Sequence, residues 1–310
     1  MQFLDWRDEH TFEGKFWLPS APENRVAGRV LIKGGAFPIL STLSPLLPDG
    51  HERPEYLLGS IRTGDVSLLG CALMVRDAPW SKSEFSSQKI GFDGLLLGRH
   101  AAPQNFARRL RLRFTNVRRL AAGPVWTFDE PGSPNSKPDH VTVHVRTEEH
   151  VFAVEHDGIR IEVRVSAPVN ASHASRGDEL KVKPEVDVYV EFPGLIAVSE
   201  ARQLWDDLEL FWSVMTGTRS DLIAAFVSEE SPTDGDPHDD ITTPYIGVVH
   251  NDAADAEAFG DFLYDLTRGP HPGKLADVLR TWLQRRGVLR LGAKLLVDTW
   301  NKNVSWESRL

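Results

Sequence analysis

The chain has 310 residues, 41% of them hydrophobic and 25% charged, a balance ordinary for a globular protein, and it is long enough for two domains or one large domain with an appendage. A formal net charge of -9, with a pI near 5.7, argues against a dominant surface for nucleic acid or anionic lipid. Cys71 is the single cysteine, which excludes an internal disulfide and a cysteine-based zinc site and fits a reducing compartment.

Met1 to Glu9 lacks the basic-then-apolar pattern of a secretory signal, and no run approaches the ~20 apolar residues of a membrane span, so a soluble cytoplasmic protein without membrane partners is expected. Short strands follow. Phe12, Phe16 and Leu18 share a parity, and Pro19 ends their strand because it has no backbone donor. Gly28 to Ile32 and Phe37 to Leu40 are further strands around Gly34-Gly35. Tyr56 to Ile61, a turn at Thr63-Gly64-Asp65, and Val66 to Val75 read as a hairpin, with Cys71 as a small core residue. Gly91 to Leu97, Leu110 to Phe114 and Val125 to Phe128 continue the series, and residues 131–138 form a loop by composition.

Residues 108–119 are the most cationic stretch. Alternation of Leu110, Leu112 and Phe114 with Arg109, Arg111 and Arg113 puts those three arginines on one strand face. The expected setting is a solvated face that discourages edge pairing, with RNA or phosphate contact as the competing role.

From 141 to 192 the alternation is clearest. Val141, Val143 and Val145 lead to Phe152 and Val154, then to His156-Asp157-Gly158, whose residues tolerate the positive φ of a tight hairpin. Ile159, Ile161, Val163 and Val165 alternate with Arg160, Glu162 and Arg164, and Val186, Val188, Val190 and Phe192 alternate with Asp187, Tyr189 and Glu191. A period of two implies an antiparallel meander with one dry and one wet face. Before residue 195 no segment has a helical period, which suggests a sandwich or open barrel.

The period changes at Ser199. Leu204, Leu208, Phe211, Trp212 and Met215 recur at helical spacing, with Asp206, Asp207 and Glu209 on the surface. Ser199 caps the first turn, Glu200 complements its partial positive charge, and Gly217 stops the helix. This helix is expected to clamp onto the sheet. Strands at Leu222 to Val227 and Tyr245 to His250 flank an acidic loop at 228–240. Helices follow at Ala254 to Leu266, around Leu275 to Leu283, and at Val288 to Trp300, and residues 303–310 open a segment that reads as cut at Leu310. The expected class is α+β: an antiparallel β-rich domain at 1–195, a mixed extension at 196–270, and a helical segment at 271–310.

Motifs for chemistry are sparse. Asp234 to Asp240 offers oxygen ligands, but a calcium loop starting there needs glycine and glutamate where Asp239 and Tyr245 stand, so a solvated acidic loop is favoured. His140, His144, His150 and His156 bracket the meander without metalloprotease spacing and read as sheet-edge histidines. Asp139 with Glu179-Leu180-Lys181 matches a metal-dependent nuclease pattern, in which two carboxylates hold magnesium and the lysine activates water, though a full hairpin separates the halves. No phosphate loop, dinucleotide fingerprint or nucleophile elbow occurs, and no metal or cofactor is expected. Trp80 is the tryptophan expected to be exposed, among nine.

Phe12-Glu13-Gly14-Lys15-Phe16-Trp17-Leu18-Pro19, followed by Gly28-Arg29-Val30-Leu31, resembles the opening of the N-terminal domain of the ApeA family of bacterial abortive-infection, anti-phage proteins. Leu58-Gly59, Gly64, Val66, Leu68, then Gly98 and His100, and the strand 184–193 leading into the helix from Ser199, extend the similarity over roughly residues 10–215. In that family the domain precedes a HEPN ribonuclease domain. The resemblance implies structural or regulatory roles for Phe12, Glu13, Gly14, Phe16, Trp17, Leu18, Pro19, Gly59, Gly64, Gly98 and His100. It also implies a sensor for a phage-derived trigger, with its own HEPN domain as partner, RNA engaged only through that domain, and a homo-oligomer as one form of assembly.

A HEPN site needs Arg-x(4–6)-His on a helix, and none of the eleven histidines has an arginine at that distance; Arg146 and His150 are one residue short. The resemblance therefore implies that metal-independent catalysis lies beyond Leu310 and assigns no catalytic residue here. The alternatives are a stand-alone β-module for carbohydrate or nucleotide, and the metal-dependent nuclease of Asp139, Glu179 and Lys181.

Overall fold

The computed structural model describes residues 8–33, 36–48, 53–76, 87–117, 126–128, 143–145, 148–166, 169–174, 177–182, 185–231, 241–247 and 272–301. Its strands are β1 (His10–Trp17), β2 (Val26–Ile32), β3 (Ile39–Thr42), β4 (Tyr56–Ile61), β5 (Gly64–Leu69), β6 (Ala72–Arg76), β7 (Gln88–Gly91), β8 (Gly94–Leu97) and β9 (Ala107–Phe114). They continue as β10 (Trp126–Phe128), β11 (Val143–Val145), β12 (Glu148–His156), β13 (Ile159–Ser166), β14 (Val169–Ala174), β15 (Gly177–Val182), β16 (Glu185–Ile196), β17 (Leu222–Ser228) and β18 (Thr243–Gly247). The helices described are α1 (Val198–Thr216) and α2 (Pro272–Asn301). This is the expected α+β class, dominated by antiparallel sheet.

Fourteen strands are ordered β12-β13-β16-β9-β17-β18-β8-β5-β4-β1-β2-β3-β7-β6, while β10-β11 and β14-β15 form separate pairs. The chain forms two compact units that interleave in sequence. One comprises Met1–Leu112, Glu191–Asp206 and Asp221–Ala256; the other comprises Arg113–Val190, Asp207–Ser220 and Glu257–Leu310. Strands β9 and β16 and helix α1 contribute residues to both.

In the first unit, β17-β18-β8-β5-β4-β1-β2-β3-β7-β6 runs antiparallel at each pairing. The register is set around Phe16, which is fully buried and stands opposite Gly59 on β4 and Val26 on β2. A Cβ on Gly59 would lie 2.5 Å from the Phe16 ring, and one on Gly28 would lie 3.2 Å from it. A one-residue slip of β1 would therefore drive the ring into side chains instead of bare backbone. Gly14 is equally constrained, since a Cβ there would sit 2.3 Å from the Ser60 carbonyl oxygen.

The expected strand at Gly91 to Leu97 is two strands. Phe92 and Asp93 break it, because Asp93 N–H donates to the Leu69 carbonyl at 2.8 Å and Phe92 N–H to Pro38 at 3.3 Å, so β7 pairs with β3 and β6 while β8 pairs with β5 and β18. The run Val66 to Val75 divides in the same way at Gly70, whose φ of 66° lies in the left-handed region. Cys71 follows, buried as expected, with its thiol donating to the Leu68 carbonyl at 3.4 Å. Burial, with Asp93 nearby, pushes that thiol far above its usual range, against a backbone hydrogen bond at Leu57. Gln88 is buried too: its Oε1 accepts from the Leu46 and Leu47 amides, both at 2.8 Å, and its Nε2 donates to the Leu47 carbonyl at 2.9 Å. The loop after β3 is thus tied to β7.

In the second unit, β12 and β13 form the expected hairpin with Asp157 (φ 50°) and Gly158 (φ 76°) at its turn. Here β11 pairs with β10 instead of β12, and β14-β15 is an additional hairpin between β13 and β16. On β16 the wet-face expectation is corrected, while β12 keeps it, with Phe152 and Val154 buried and Glu155 exposed. Along β16, Asp187 and Tyr189 are buried as thoroughly as Val186, Val188 and Val190, so both faces are covered. Helix α1 starts at Val198, placing Ser199 inside the first turn instead of at the cap, and Gly217 (φ 66°) ends it as expected. The two helices expected at Leu275 to Leu283 and Val288 to Trp300 are the single helix α2. Gly287 costs it only about 1 kcal/mol relative to alanine, and the buried face continues across it through Leu275, Leu279, Trp282, Leu283, Ala293 and Val297. The helix expected at Ala254 to Leu266 lies outside the described residues.

Phe16 against Gly59 is open to direct measurement. Gly59→Ala should destabilise the chain by about 1–3 kcal/mol through overpacking, as read from urea denaturation. Phe16→Leu introduced into the Gly59→Ala background should recover part of that loss; a loss that is the same in both backgrounds contradicts the contact.

Candidate functional site

The residues that carry the family resemblance come together on the first unit. Phe12 is half-buried on β1, its ring centroid 6.3 Å from that of His10. Glu13 is exposed and accepts from Arg29 Nε at 2.9 Å, its register partner on β2. Phe16 fills the space above Gly28 and Gly59. Leu18 and Pro19 are half-buried just past β1, where the Leu18 carbonyl accepts from Ala21 N–H at 2.9 Å. Gly64 (φ 137°) and Gly98 (φ 89°) meet where β5 begins and β8 ends, and Gly98 N–H donates to the Asp65 carbonyl at 2.7 Å. Only glycine holds such backbone without strain.

His100 draws these segments into one cluster. Its Nε2 lies 2.9 Å from the Gly59 carbonyl oxygen and 3.7 Å from Asp65 Oδ1. The Trp17 ring meets it edge-on, with centroids 5.4 Å apart, and the exposed Arg25 guanidinium stacks over the same indole at 4.5 Å. When Nε2–H donates to the Gly59 carbonyl, the neutral imidazole keeps Nδ1 as an acceptor. A partly exposed imidazole beside a cation on an aromatic plane suits recognition of a polar group. No nucleophile accompanies it among these contacts.

The arginines of β9 are not on a solvated face, which corrects the expectation. Arg109 is only 2% exposed; its Nε donates to the Glu230 carbonyl at 2.8 Å and its Nη2 to Ser228 Oγ at 3.2 Å. Arg111 is half-buried, with its guanidinium 5.7 Å from the Phe226 ring centroid. Arg113 is 9% exposed and grips Asp187 with both arms, Nε to Oδ1 at 2.7 Å and Nη2 to Oδ2 at 2.9 Å, while Nη1 reaches Glu185 at 2.7 Å. Burial works against this guanidinium's charge, yet the two carboxylates outweigh it and raise its pKa. Glu162 on β13 is buried in the same manner between Arg160 (3.1 Å) and Arg164 (2.6 Å).

Two polar groups escaped the sequence reading. Arg202 on α1 donates to Asp93 Oδ2 at 3.1 Å and to the Tyr245 hydroxyl at 3.0 Å. Tyr245 is wholly buried between Phe106 and Trp205. Burial, with some help from Asp93, raises its phenol pKa against the pull of Arg202. Asp207, expected on the surface, is 1% exposed; neither carboxylate oxygen has a hydrogen bond among the described residues, and Arg286 and Arg290 of α2 stand 3.6 and 3.5 Å away. Burial raises its pKa, and the two arginines oppose that. The signal for Asp207 was its helical phase beside Leu204, Leu208 and Phe211. For Asp93 and Tyr245 no local signal existed, because their partner lies on a distant helix.

Among the described residues no group of three or more His, Cys, Asp or Glu could hold a metal ion. His144 and His150 lie on β11 and β12, His156 lies 3.3 Å from Asp157, and His140 is outside the described residues. Glu179 and Lys181 sit on β15, opposite Ser172 and Asn170, while Asp139, Trp80 and Asp234 to Asp240 are outside the described residues. No helix among those described is long and apolar enough to cross a membrane. Comparison with protein families, with characterised proteins and with solved structures returned no match.

Removing one member of a buried ion pair leaves the other charged and dry. Arg113→Met should therefore cost about 3–5 kcal/mol of unfolding free energy, whereas a cost below about 1 kcal/mol, the size expected of an exposed pair, would place Arg113 in solvent.

Proposed function

We propose that this chain is the sensing and regulatory region of an ApeA-like abortive-infection protein, acting in the cytoplasm. In this reading it recognises a phage-derived trigger and controls a metal-independent HEPN ribonuclease carried C-terminal of Leu310. The observation that supports it is the convergence around His100. Trp17, Gly59, Gly64, Gly98 and His100 are scattered over more than eighty positions, and they are the residues on which the resemblance rests. In the fold they form one cluster with a partly exposed imidazole at its rim.

Regulation requires the trigger to bind the resting and active states with different affinity. A recognition surface built on paired strands suits that role, because its geometry is held by the sheet and only the rim is free to adapt. The internal pairing of Arg109 and Arg113 is consistent with a region that does not itself grip RNA through β9.

The experiment is expression of the longer natural form that carries an Arg–His helix, with phage plating and RNA integrity as readouts. Protection and RNA cleavage upon infection are expected for the wild type. His100→Ala should reduce protection about tenfold or more, within the range of ordinary allosteric coupling, while leaving the thermal melt unchanged. Unaltered phage growth with intact RNA in the wild type would overturn the reading.

A further inference from the structure

The second unit treats its buried carboxylates in two ways. Asp187 accepts two hydrogen bonds from Arg113, at 2.7 and 2.9 Å, and Glu162 accepts one each from Arg160 and Arg164, at 3.1 and 2.6 Å. Asp207 is buried as deeply, yet neither of its oxygens accepts a hydrogen bond among the described residues. Arg286 and Arg290 stand 3.6 and 3.5 Å from it, beyond the about 2.7–2.9 Å of a charge-assisted bond.

These contacts lie in one seam of that unit. Asp207 and Phe211 are a turn apart on α1. Asp207 meets Arg286 and Arg290 of α2, while Phe211 meets Trp282, with ring centroids 5.8 Å apart. The two helices therefore run antiparallel here. The buried Trp282 indole N–H has no acceptor among the described residues either. A donor and an acceptor are both dry and unbonded where α1 meets α2.

Taking a carboxylate out of water is costly, and hydrogen bonds ordinarily offset that cost. At Asp207 only attraction through space opposes it, and burial prevails: the carboxyl is held above its ordinary range despite the two arginines. When α2 lifts from α1, water reaches Asp207 and the Trp282 N–H, and the cost disappears. What is lost is the apolar burial of Leu275, Leu279, Trp282 and Leu283. Helix α2 is thus held by its apolar side chains and opposed by the polar groups of the same seam.

We infer that α2 is a releasable arm, which leaves its seat on α1 as one piece while the sheet stays folded. Such an opening gives the chain a seated and a lifted state, an equilibrium that a binding event can bias. The inference does not rest on the function proposed above.

Native-state hydrogen exchange of the full chain tests it, comparing the amides of Leu275 to Leu283 with those of β13. In the wild type the α2 amides should exchange at least about a hundredfold faster than the β13 amides, as a separate opening unit. Asp207→Leu removes the dry charge, and its arginines, each with a partly exposed side chain, turn to water. Exchange of α2 should then slow about tenfold, with β13 unchanged. Arg286→Met combined with Arg290→Met leaves the carboxylate without its counter-charges and should speed α2 exchange about tenfold. In the Asp207→Leu background the same two changes should alter it less than about twofold. The wild-type comparison and the arginine variant decide the matter even where Asp207→Leu does not fold. Equal exchange of α2 and β13, or α2 exchange that is not slowed by Asp207→Leu in the folded protein, would overturn the inference. So would α2 exchange indifferent to the loss of both arginines.

Discussion

The ion pair between Arg113 and Asp187 is the constraint around which the second unit is arranged. Both groups are out of water, and desolvating them costs several kcal/mol each before their attraction repays any of it. The cost is tolerable only because the guanidinium meets Asp187 with two parallel hydrogen bonds and Glu185 with a third contact, so that little of either partner's capacity is wasted. Such a pair adds little net stability over an apolar pair. It acts chiefly against alternatives, since shifting β9 against β16 would strand a buried charge. Glu162 between Arg160 and Arg164 repeats the device on β13.

This internal pairing changes what the charge pattern means. Arg109, Arg111 and Arg113 look like a cationic stripe on an acidic protein, and a stripe of that kind ordinarily suggests phosphate. Two of the three are instead consumed by Asp187, Glu185, Ser228 and the Glu230 carbonyl. The recognition we propose would lie at the cluster in the first unit. There the glycines let strands approach an aromatic ring, and His100 and Arg25 flank Trp17 at the surface. The fold thus separates the buried cations that hold strands together from the exposed Arg25 beside Trp17.

Much of the architecture was legible in the chain because alternation is a local property. The β12–β13 hairpin announced itself through Asp157-Gly158 between alternating runs, and α1 through Leu204, Leu208, Phe211 and its stop at Gly217. Alternation says which side chains share a face, but not whether that face is covered, so Asp187 and Arg113 read as wet when they are dry. The helices expected at Leu275 to Leu283 and Val288 to Trp300 are one, because the packing of Leu283 and Ala293 on either side of Gly287 overrides a penalty of about 1 kcal/mol. The cluster at His100 was visible only as scattered positions. Its meaning depends on pairings such as Phe16 with Gly59, which join β1 to β4 across more than forty residues.

Native-state hydrogen exchange of the β9 amides, Arg109 to Phe114, tests the central claim most directly: that this strand is interior and held by its own arginines. The account predicts that these amides exchange only through global unfolding, with opening free energies equal to the stability measured by denaturant. Exchange by a local opening several kcal/mol below that value would contradict it, and would return the arginines of β9 to the surface.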